Sequence, residues 1–146
     1  MGCCGSGYDD KELKEAKSMP EIISVMKKRS EELVKEKNEI SNHLEDPTKE
    51  VTMVNIEGLS NDDLEKRIEY LDKLHDGYED VIQTLESINL PIEETKGHLL
   101  DIMSHRLISY DLSDNFKNDI AKFKQFAYEN EKRLTEGFTK PLHNDS

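Results

Sequence analysis

Residues Leu64 to Ile88 read LEKRIEYLDKLHDGYEDVIQTLESI and carry the clearest pattern in the chain. The apolar residues of this stretch recur at spacings of three, four and seven positions, which is the period of a helix with one buried face. Positions seven residues apart form three adjacent columns, in which only His75 and Asn89 are not apolar. The columns are Leu64, Leu71, Tyr78 and Leu85; Ile68, His75, Ile82 and Asn89; and Leu74, Val81 and Ile88. A stripe of this width faces two or more neighbouring helices, whereas a two-stranded coiled coil needs a narrower seam. We expect this stretch to form the central helix of a bundle.

The segment before it predicts a second long helix. Ser18 and Glu21 have the S-x-x-E spacing of a capping box, and Pro47 stops a helix that reaches about Leu44. An a/d-like seam with a polar middle runs along it through Ile23, Met26, Ser30, Leu33, Lys37, Ile40 and Leu44. Because a broken seam leaves apolar residues for another chain to cover, we take as candidate partner-binding residues Ile23, Met26, Leu33, Ile40 and Leu44.

The segment after the central stretch predicts two further helices. Pro91 interrupts the chain and restarts it, with Asn89 as the expected cap, and the short connection requires the next helix to turn back on its predecessor. Ser113 is the expected cap of the last helix, and Gly137 is its expected end. Between the first two long helices, residues 46–60 are predicted to form either an ordered loop with a short strand or a further helical turn.

The fold class that follows is all-α, an up-and-down antiparallel bundle of three or four helices with coiled-coil-like seams, preceded by a flexible lipidated N-terminus. We divide the chain into an acylated N-terminal anchor and charged spacer at 1–18, a helical bundle at 19–138, and a polar C-terminal tail at 139–146. Within the spacer, residues 10–18 form either a free linker or a loosely docked helix.

The first residues, Met1-Gly2-Cys3-Cys4-Gly5-Ser6, match the M-G-x-x-x-[ST] pattern of N-myristoylation. Removal of Met1 exposes the amine of Gly2. A single myristoyl chain holds a protein only marginally and reversibly, so stable anchoring requires a second signal. Asp9 and Asp10 follow where a polybasic run would otherwise stand, and S-palmitoylation of Cys3 and Cys4 is therefore the expected second anchor.

This start resembles the dual-acylation start of Src-type kinases and G-protein α subunits over six residues. The resemblance implies attachment of Gly2, Cys3 and Cys4 to the cytosolic face of a cellular membrane, either the plasma membrane or an internal one. A chance match, a structural pair of thiols and a metal site are the alternatives. Adjacent cysteines form a strained disulfide, and a zinc site would need two more ligands.

Charge narrows the range of partners. The chain has 20 Lys and Arg against 32 Asp and Glu, a net charge of −12. Nucleic-acid affinity depends on basic residues that release counterions, so nucleic acid is not an expected partner. Because the same charge is repelled by an anionic leaflet, we expect the acyl chains to supply the membrane attachment.

No arrangement of residues predicts catalysis or a cofactor. The one suggestive set of metal-ligating residues is Glu94, His98, Asp101 and His105, on one face of the third long helix. Its Glu-x-x-x-His spacing departs from the Glu-x-x-His of di-iron bundles, and no second helix carries a matching pair, so we expect a solvated polar face and no metal. His75 is expected to be a partly buried packing residue.

The sequence therefore predicts a non-enzymatic adaptor or scaffold, anchored by lipid and binding other helical proteins, or a second copy of itself, through its helical faces. The alternatives are a soluble helical regulator without a membrane anchor and a small metal-binding bundle.

Overall fold

The computed structural model describes residues 10–105 and 114–143, with side chains described up to Lys132 of the last helix. The prediction of lipidation at Gly2, Cys3 and Cys4 lies outside the described residues, as does that of Ser113 as a helix cap. The described residues form five helices: α1 (Lys11–Glu15), α2 (Met19–Glu45), α3 (Asn61–Ser87), α4 (Ile92–Ser104) and α5 (Asp114–His143). They contain no β-strand, and the predicted all-α bundle is confirmed.

Local sequence signals set the starts of helices α2 and α3. The Ser18 hydroxyl accepts a hydrogen bond from the Glu21 backbone N–H at the start of α2. At the start of α3, Ser60 and Asp63 exchange hydrogen bonds of 3.1 Å in a complete capping box. Each cap satisfies backbone donors that have no partner within the helix.

Two helix ends differ from the sequence prediction. Pro91, and not Asn89, is the residue before α4, which has no side-chain cap. Helix α5 continues through Gly137 to His143 and so into the segment predicted as a polar tail. A glycine inside a helix costs only about 1 kcal/mol relative to alanine, so the favourable residues on either side can outweigh it.

The long helices run alternately up and down. Lys27 pairs with Glu86 and Lys37 with Asp72, so α3 is antiparallel to α2. His98 packs against Phe126 and His105 against Phe116, which makes α5 antiparallel to α4. Gly77 lies against Phe116, and Asp80 pairs with Lys124 further along both helices, so α5 is parallel to α3.

Gly77 lets α3 and α5 approach closely. A Cβ atom at this position would lie 2.6 Å from Cζ of Phe116 and 2.7 Å from Cδ1 of Ile120. Such distances are well inside van der Waals contact, and only a glycine fits without movement of α5.

The core is continuous from α1 to α5. The first and third columns of the central stretch supply much of it, as predicted, and their buried members include Leu64, Leu71, Leu74, Val81 and Leu85. In the second column only Ile82 is buried, and Asn89 is exposed. Tyr70 and Tyr78 add two large buried rings, and the Tyr70 hydroxyl donates a 2.7 Å hydrogen bond to the backbone carbonyl of His105. The buried ring is thereby both packed and hydrogen-bonded.

Candidate partner surface and anchor attachment

The seam predicted to bind a partner packs mainly inside the chain. Met26, Leu33 and Ile40 are at most 1% exposed and belong to the core shared with α3. Ile23 and Leu44 are half-buried at the edge of that core. The antiparallel neighbour α3 supplies the apolar surface that the sequence alone had left open to another chain. A partner can therefore reach Ile23 and Leu44 in this bundle, but not the other three residues.

Cross-helix polar contacts explain why the middle of the seam is polar. The buried Ser30 hydroxyl donates a 2.7 Å hydrogen bond to the Glu79 carboxylate, and Lys37 forms a 2.7 Å ion pair with Asp72. These contacts join α2 to α3 at two fixed positions along the helices, so they select one register of the pair.

Sequence reasoning missed the most buried ion pair of this interface. Glu36 is 1% exposed, and its carboxylate lies 2.7 Å from the Arg67 guanidinium on α3. Arg67 also lies over the Tyr70 ring, 5.7 Å from its centroid. The sequence does contain an indication of this burial. Glu36 lies three residues after Leu33 and four before Ile40, and this spacing places it on the core face of α2.

A groove of about 680 Å³ lies between α2 and α3 on the outside of this interface. Its apolar residues are Val34 of α2 and Ile82 of α3, and His75 lies beside Glu79 at 3.8 Å. Both signs of charge border it, through Lys27, Glu31, Lys35, Glu79 and Glu86.

The connection at 46–60 is an ordered loop with neither the predicted short strand nor the predicted further helical turn, and Glu39 binds its middle. Glu39 of α2 accepts hydrogen bonds from the backbone N–H groups of Thr52 and Met53 and from the Thr52 hydroxyl, at 2.7 to 3.0 Å. These bonds, led by that from the Thr52 hydroxyl, hold the pKa of Glu39 below its ordinary value. The loop is thereby fixed with Met53 40% exposed.

The described chain begins at a buried ion pair. Asp10 is 4% exposed, caps α1 by accepting from the Leu13 backbone N–H, and accepts two bonds from Arg29 at 2.8 and 3.1 Å. Arg29 also donates to Glu12 at 2.8 Å. Hydrogen bonding to Asp10 raises the pKa of Arg29, and that to Arg29 lowers the pKa of Glu12. This contact fixes where the N-terminal segment joins the bundle.

Helix α1 is part of the packed body. Leu13 and Ala16 are buried in the core, and the buried Lys96 ammonium of α4 donates a 2.7 Å hydrogen bond to the Lys14 carbonyl. A five-residue helix thus bridges α2 and α4, and residues 10–16 form a docked helix, not a free spacer.

The histidines of α4 pack toward α5 instead of lining a solvated face. His98 stacks on Phe126 with ring centroids 4.6 Å apart. His105 is 5% exposed, and its Nε2 lies 2.7 Å from the Asp119 carboxylate. Within 10–105 and 115–132, no three His, Cys, Asp or Glu side chains are placed to share a metal ion.

None of the described helices combines the length and apolar character needed to cross a bilayer. Comparison of the chain with protein-family models, with curated proteins and with solved structures finds no match.

Proposed function

We propose that this chain is a non-enzymatic adaptor or scaffold, held on the cytosolic face of a membrane by N-myristoylation of Gly2 and S-palmitoylation of Cys3 and Cys4. The observation that carries the proposal is the M-G-x-x-x-S pattern with two adjacent cysteines at the start of a chain whose net charge is −12. Without acyl chains, that charge repels the body from anionic lipid.

The attachment of α1 supports this proposal. Asp10 is the first described residue and is held by Arg29, so eight residue steps separate Gly2 from the packed body. At about 3.5 Å per extended residue, they span at most about 28 Å. An acylated Gly2 therefore keeps the bundle within one molecular diameter of the bilayer, where its faces can meet membrane-associated partners.

The polar side chains of the bundle supply the argument for a non-enzymatic role. Ser30, Arg67 and His105 each bind a carboxylate across a helix interface, and these contacts fix helix positions. We assign partner binding to the groove between α2 and α3, with Ile23 and Leu44 at the accessible margin of the core. Its apolar floor and bordering charges suit an amphipathic helix of another protein.

The anchor is tested by cell fractionation and incorporation of a myristate analogue. The variants are Gly2→Ala and the double change Cys3→Ser with Cys4→Ser, with Gly7→Ala as a matched control outside the required motif positions. We expect Gly2→Ala to lose the label and move to the soluble fraction, the cysteine variant to keep the label and bind loosely, and the control to behave as the wild type. A Gly2→Ala chain that stays fully membrane-bound contradicts the anchor. Wild-type chain without label favours the soluble regulator.

The partner surface is tested by proximity labelling from intact membranes. Val34→Glu puts a charged side chain into the groove. Glu31→Gln, the control, removes one charge from the border of the groove and leaves the size of the side chain unchanged. We expect a set of labelled proteins that is lost with Val34→Glu and retained with Glu31→Gln. Labelling that is identical for both variants and the wild type contradicts binding in this groove.

A further inference from the structure

The groove between α2 and α3 faces away from α1 and α5. On α2, Glu31 lines the groove and lies two residues from Arg29, which holds α1. On α3, Glu79 lines the groove and lies two residues from Gly77, which packs against α5. Two residues turn a helix by about 200°, so the groove lies on the far side of both helices. Among the residues that the structure describes, those that line it all belong to α2 and α3.

The two edges of the groove carry opposite charge. The α2 edge has Lys27 and Lys35 on either side of Glu31, whereas the acidic residues Glu79 and Glu86 line the α3 edge. Lys27 and Glu86 pair at 2.8 Å, yet their side chains stay 53% and 46% exposed, so each charged group can bind a further partner. A face whose edges differ in sign is complementary to a copy of itself, provided that the copy is turned so that the edges exchange places.

A twofold axis along the groove, parallel to the helices, makes that exchange. It places α2 of each copy over α3 of the other, and every pair of adjacent helices is then antiparallel, as in a four-helix bundle. Lys27 and Glu86 lie at one level of the bundle, so Lys27 of one copy comes to Glu86 of the other. Lys35 falls between the levels of Glu79 and Asp72, as the bonds of these two residues to α2 show. Both lysines therefore meet acidic side chains.

The other face-to-face arrangement, with the axis across the helices, is unfavourable on two counts. It lays α3 on α3, so that the acidic edges, with Glu79 and Glu86, meet each other. It also places the Asp10 residues of the two copies at opposite ends of the pair. With the axis along the groove, both Asp10 residues lie at the same end, and the acylated N-termini of both copies reach one bilayer. Charge and anchor geometry thus favour the same arrangement.

The groove face is too small for a stable dimer in solution. From Lys27 to Lys35 and from His75 to Glu86 the face is about 18 Å long, and two helices are about 20 Å wide. Two copies together would bury about 700 Å², below the roughly 1,000 Å² of a specific interface. Confinement to one membrane raises the effective concentration of the copies, which compensates for weak contacts.

We propose that this groove is the interface of a parallel dimer, in which a second copy of the chain lies face to face on α2 and α3 about a twofold axis along the groove. This inference rests on the proposed function, since the lipid anchor supplies the local concentration and the partner groove supplies the surface. It deepens that function by naming the occupant of the groove. The dimer then presents its remaining faces to other proteins in duplicate.

Cross-linking at Val34 tests the arrangement. Val34 lines the groove, and the axis brings the two Val34 side chains of a dimer to the same level. The full chain with Val34→Cys also carries Cys3→Ser and Cys4→Ser, which remove its two natural thiols. It is myristoylated by a co-expressed transferase, bound to phosphatidylcholine vesicles and treated with bismaleimidoethane, a short thiol cross-linker. We expect cross-linked dimer to form about tenfold faster or more than with Gln125→Cys, an exposed control on α5.

Charge reversal in the Val34→Cys chain tests the pairing of the edges. Lys27→Glu with Lys35→Glu makes both edges acidic, and Gln83→Lys with Glu86→Lys makes the α3 edge basic like the α2 edge. One exposed ion pair contributes up to about a fivefold factor, and the axis repeats every pair, so each variant alone should cross-link about tenfold less or weaker still. A mixture of the two variants should cross-link as the parent does, with the mixed dimer identified by its mass. Circular dichroism of each variant verifies that helix content is retained.

Glu31 supplies a test in the opposite direction. It is adjacent to Ser30, which bonds Glu79, so in the dimer it comes close to Glu79 of the second copy. Glu31→Gln removes this like-charge contact and should increase cross-linking by up to about fivefold. Glu32→Gln is the matched control, since Glu32 pairs with Arg29 away from the groove, and it should change cross-linking little.

The outcomes separate this inference from the anchor and from partner binding. Failure of the transferase to acylate the chain counts against the anchor alone, and cross-linking of the unacylated chain at millimolar concentration then tests the dimer. A folded chain that cross-links at position 34 no faster than at position 125 overturns the dimer, as does a mixture of the charge variants that stays monomeric. Proximity labelling that is lost with Val34→Glu, in a chain that does not cross-link, also overturns it, because a helix of another protein then fills the groove.

Discussion

The absence of a Cβ atom at Gly77 allows α3 and α5 to pack closely. The missing Cβ makes room for the Phe116 ring and the Ile120 side chain, and both residues come from a helix 39 or more positions later in the chain. Sequence reasoning placed this residue in the central helix but gave it no role, because a glycine inside a helical pattern has no local signature of a close approach.

Gly77→Ala is expected to destabilise the bundle. Overpacking costs about 1 to 3 kcal/mol, and the better helix propensity of alanine returns up to about 1 kcal/mol, so we expect a net loss of about 1 to 2 kcal/mol. Urea denaturation followed by circular dichroism measures it. Gly97→Ala is the matched control, since nothing lies within 4 Å of a Cβ there, and it should gain up to about 1 kcal/mol. Equal effects of the two changes would contradict the close approach at Gly77.

Glu39 makes the order of the 46–60 loop dependent on pH. Its pKa lies below the ordinary value of 4.5 because the ionised carboxylate accepts bonds from Thr52 and Met53. The stabilisation is therefore complete above pH 4.5 and is lost as pH falls through the lower pKa of the folded state. We expect amide exchange at Thr52 and Met53, corrected for its intrinsic pH dependence, to lose protection at acid pH.

Glu39→Gln tests the cause of that pH dependence. The amide keeps an oxygen acceptor but cannot ionise, so the protection at Thr52 and Met53 should be weaker and should no longer change through this pH range. Asp46 is a useful internal comparison, since its pKa is lowered by bonds from Thr48 that Glu39 does not share. If the wild type and Glu39→Gln lose protection in the same way, another group governs the loop.

At the scale of elements, the contact between α1 and α2 depends on Arg29. The guanidinium binds Asp10 through two nitrogens, and Asp10 in turn caps α1. Five residues are too few for a stable isolated helix, so α1 exists because its neighbours hold it. The charged sequence of α1 is compatible with either a free spacer or a docked helix. The contact between Arg29 and Asp10 shows that α1 is docked.

Arg29→Met is expected to release α1 while retaining an aliphatic side chain. A buried hydrogen bond to a charged group contributes about 1.5 to 3 kcal/mol, and we expect a loss of about 2 kcal/mol in the free energy of unfolding. Hydrogen exchange should increase at Leu13 and Lys14 more than elsewhere. Lys28→Met is the neighbouring control, because the Lys28 pair with Glu12 is exposed and should matter little. A loss spread evenly over the bundle, or one equal to that of Lys28→Met, would argue against a local contact.

For the whole molecule, α1 completes the enclosure of the core. It contacts α2 through Arg29 and α4 through Lys96, and Leu13 is fully buried between them. The ring of packed elements therefore runs from α2 to α3, α5, α4 and α1. Without α1, apolar surface of α2 and α4 would meet water.

Two truncations test this role of α1. A chain that begins at Asp10 should match the full chain in its urea midpoint, because it retains every core residue that the structure describes. A chain that begins at Ser18 lacks Leu13 and Ala16 and should lose about 2 to 5 kcal/mol, the range for removal of a large buried apolar side chain. It should also bind a hydrophobic dye that the longer chain does not. Equal midpoints would show that α1 is dispensable for the core.

The helices and the start of α2 could be predicted from the sequence, because periodicity and capping act between residues at most seven apart. The apolar stripe of Leu64 to Leu85 and the cap of α2 at Ser18 are both found as predicted. The sequence also carries the acylation pattern, which is local and needs no fold. Which apolar residues of α2 stay accessible depends on where α3 lies, and this follows from the packing of the helices and not from the sequence pattern. The Glu36–Arg67 pair, the docking of α1 and the approach at Gly77 join residues from 17 to 82 positions apart, and no local pattern encodes which of many possible partners a residue meets.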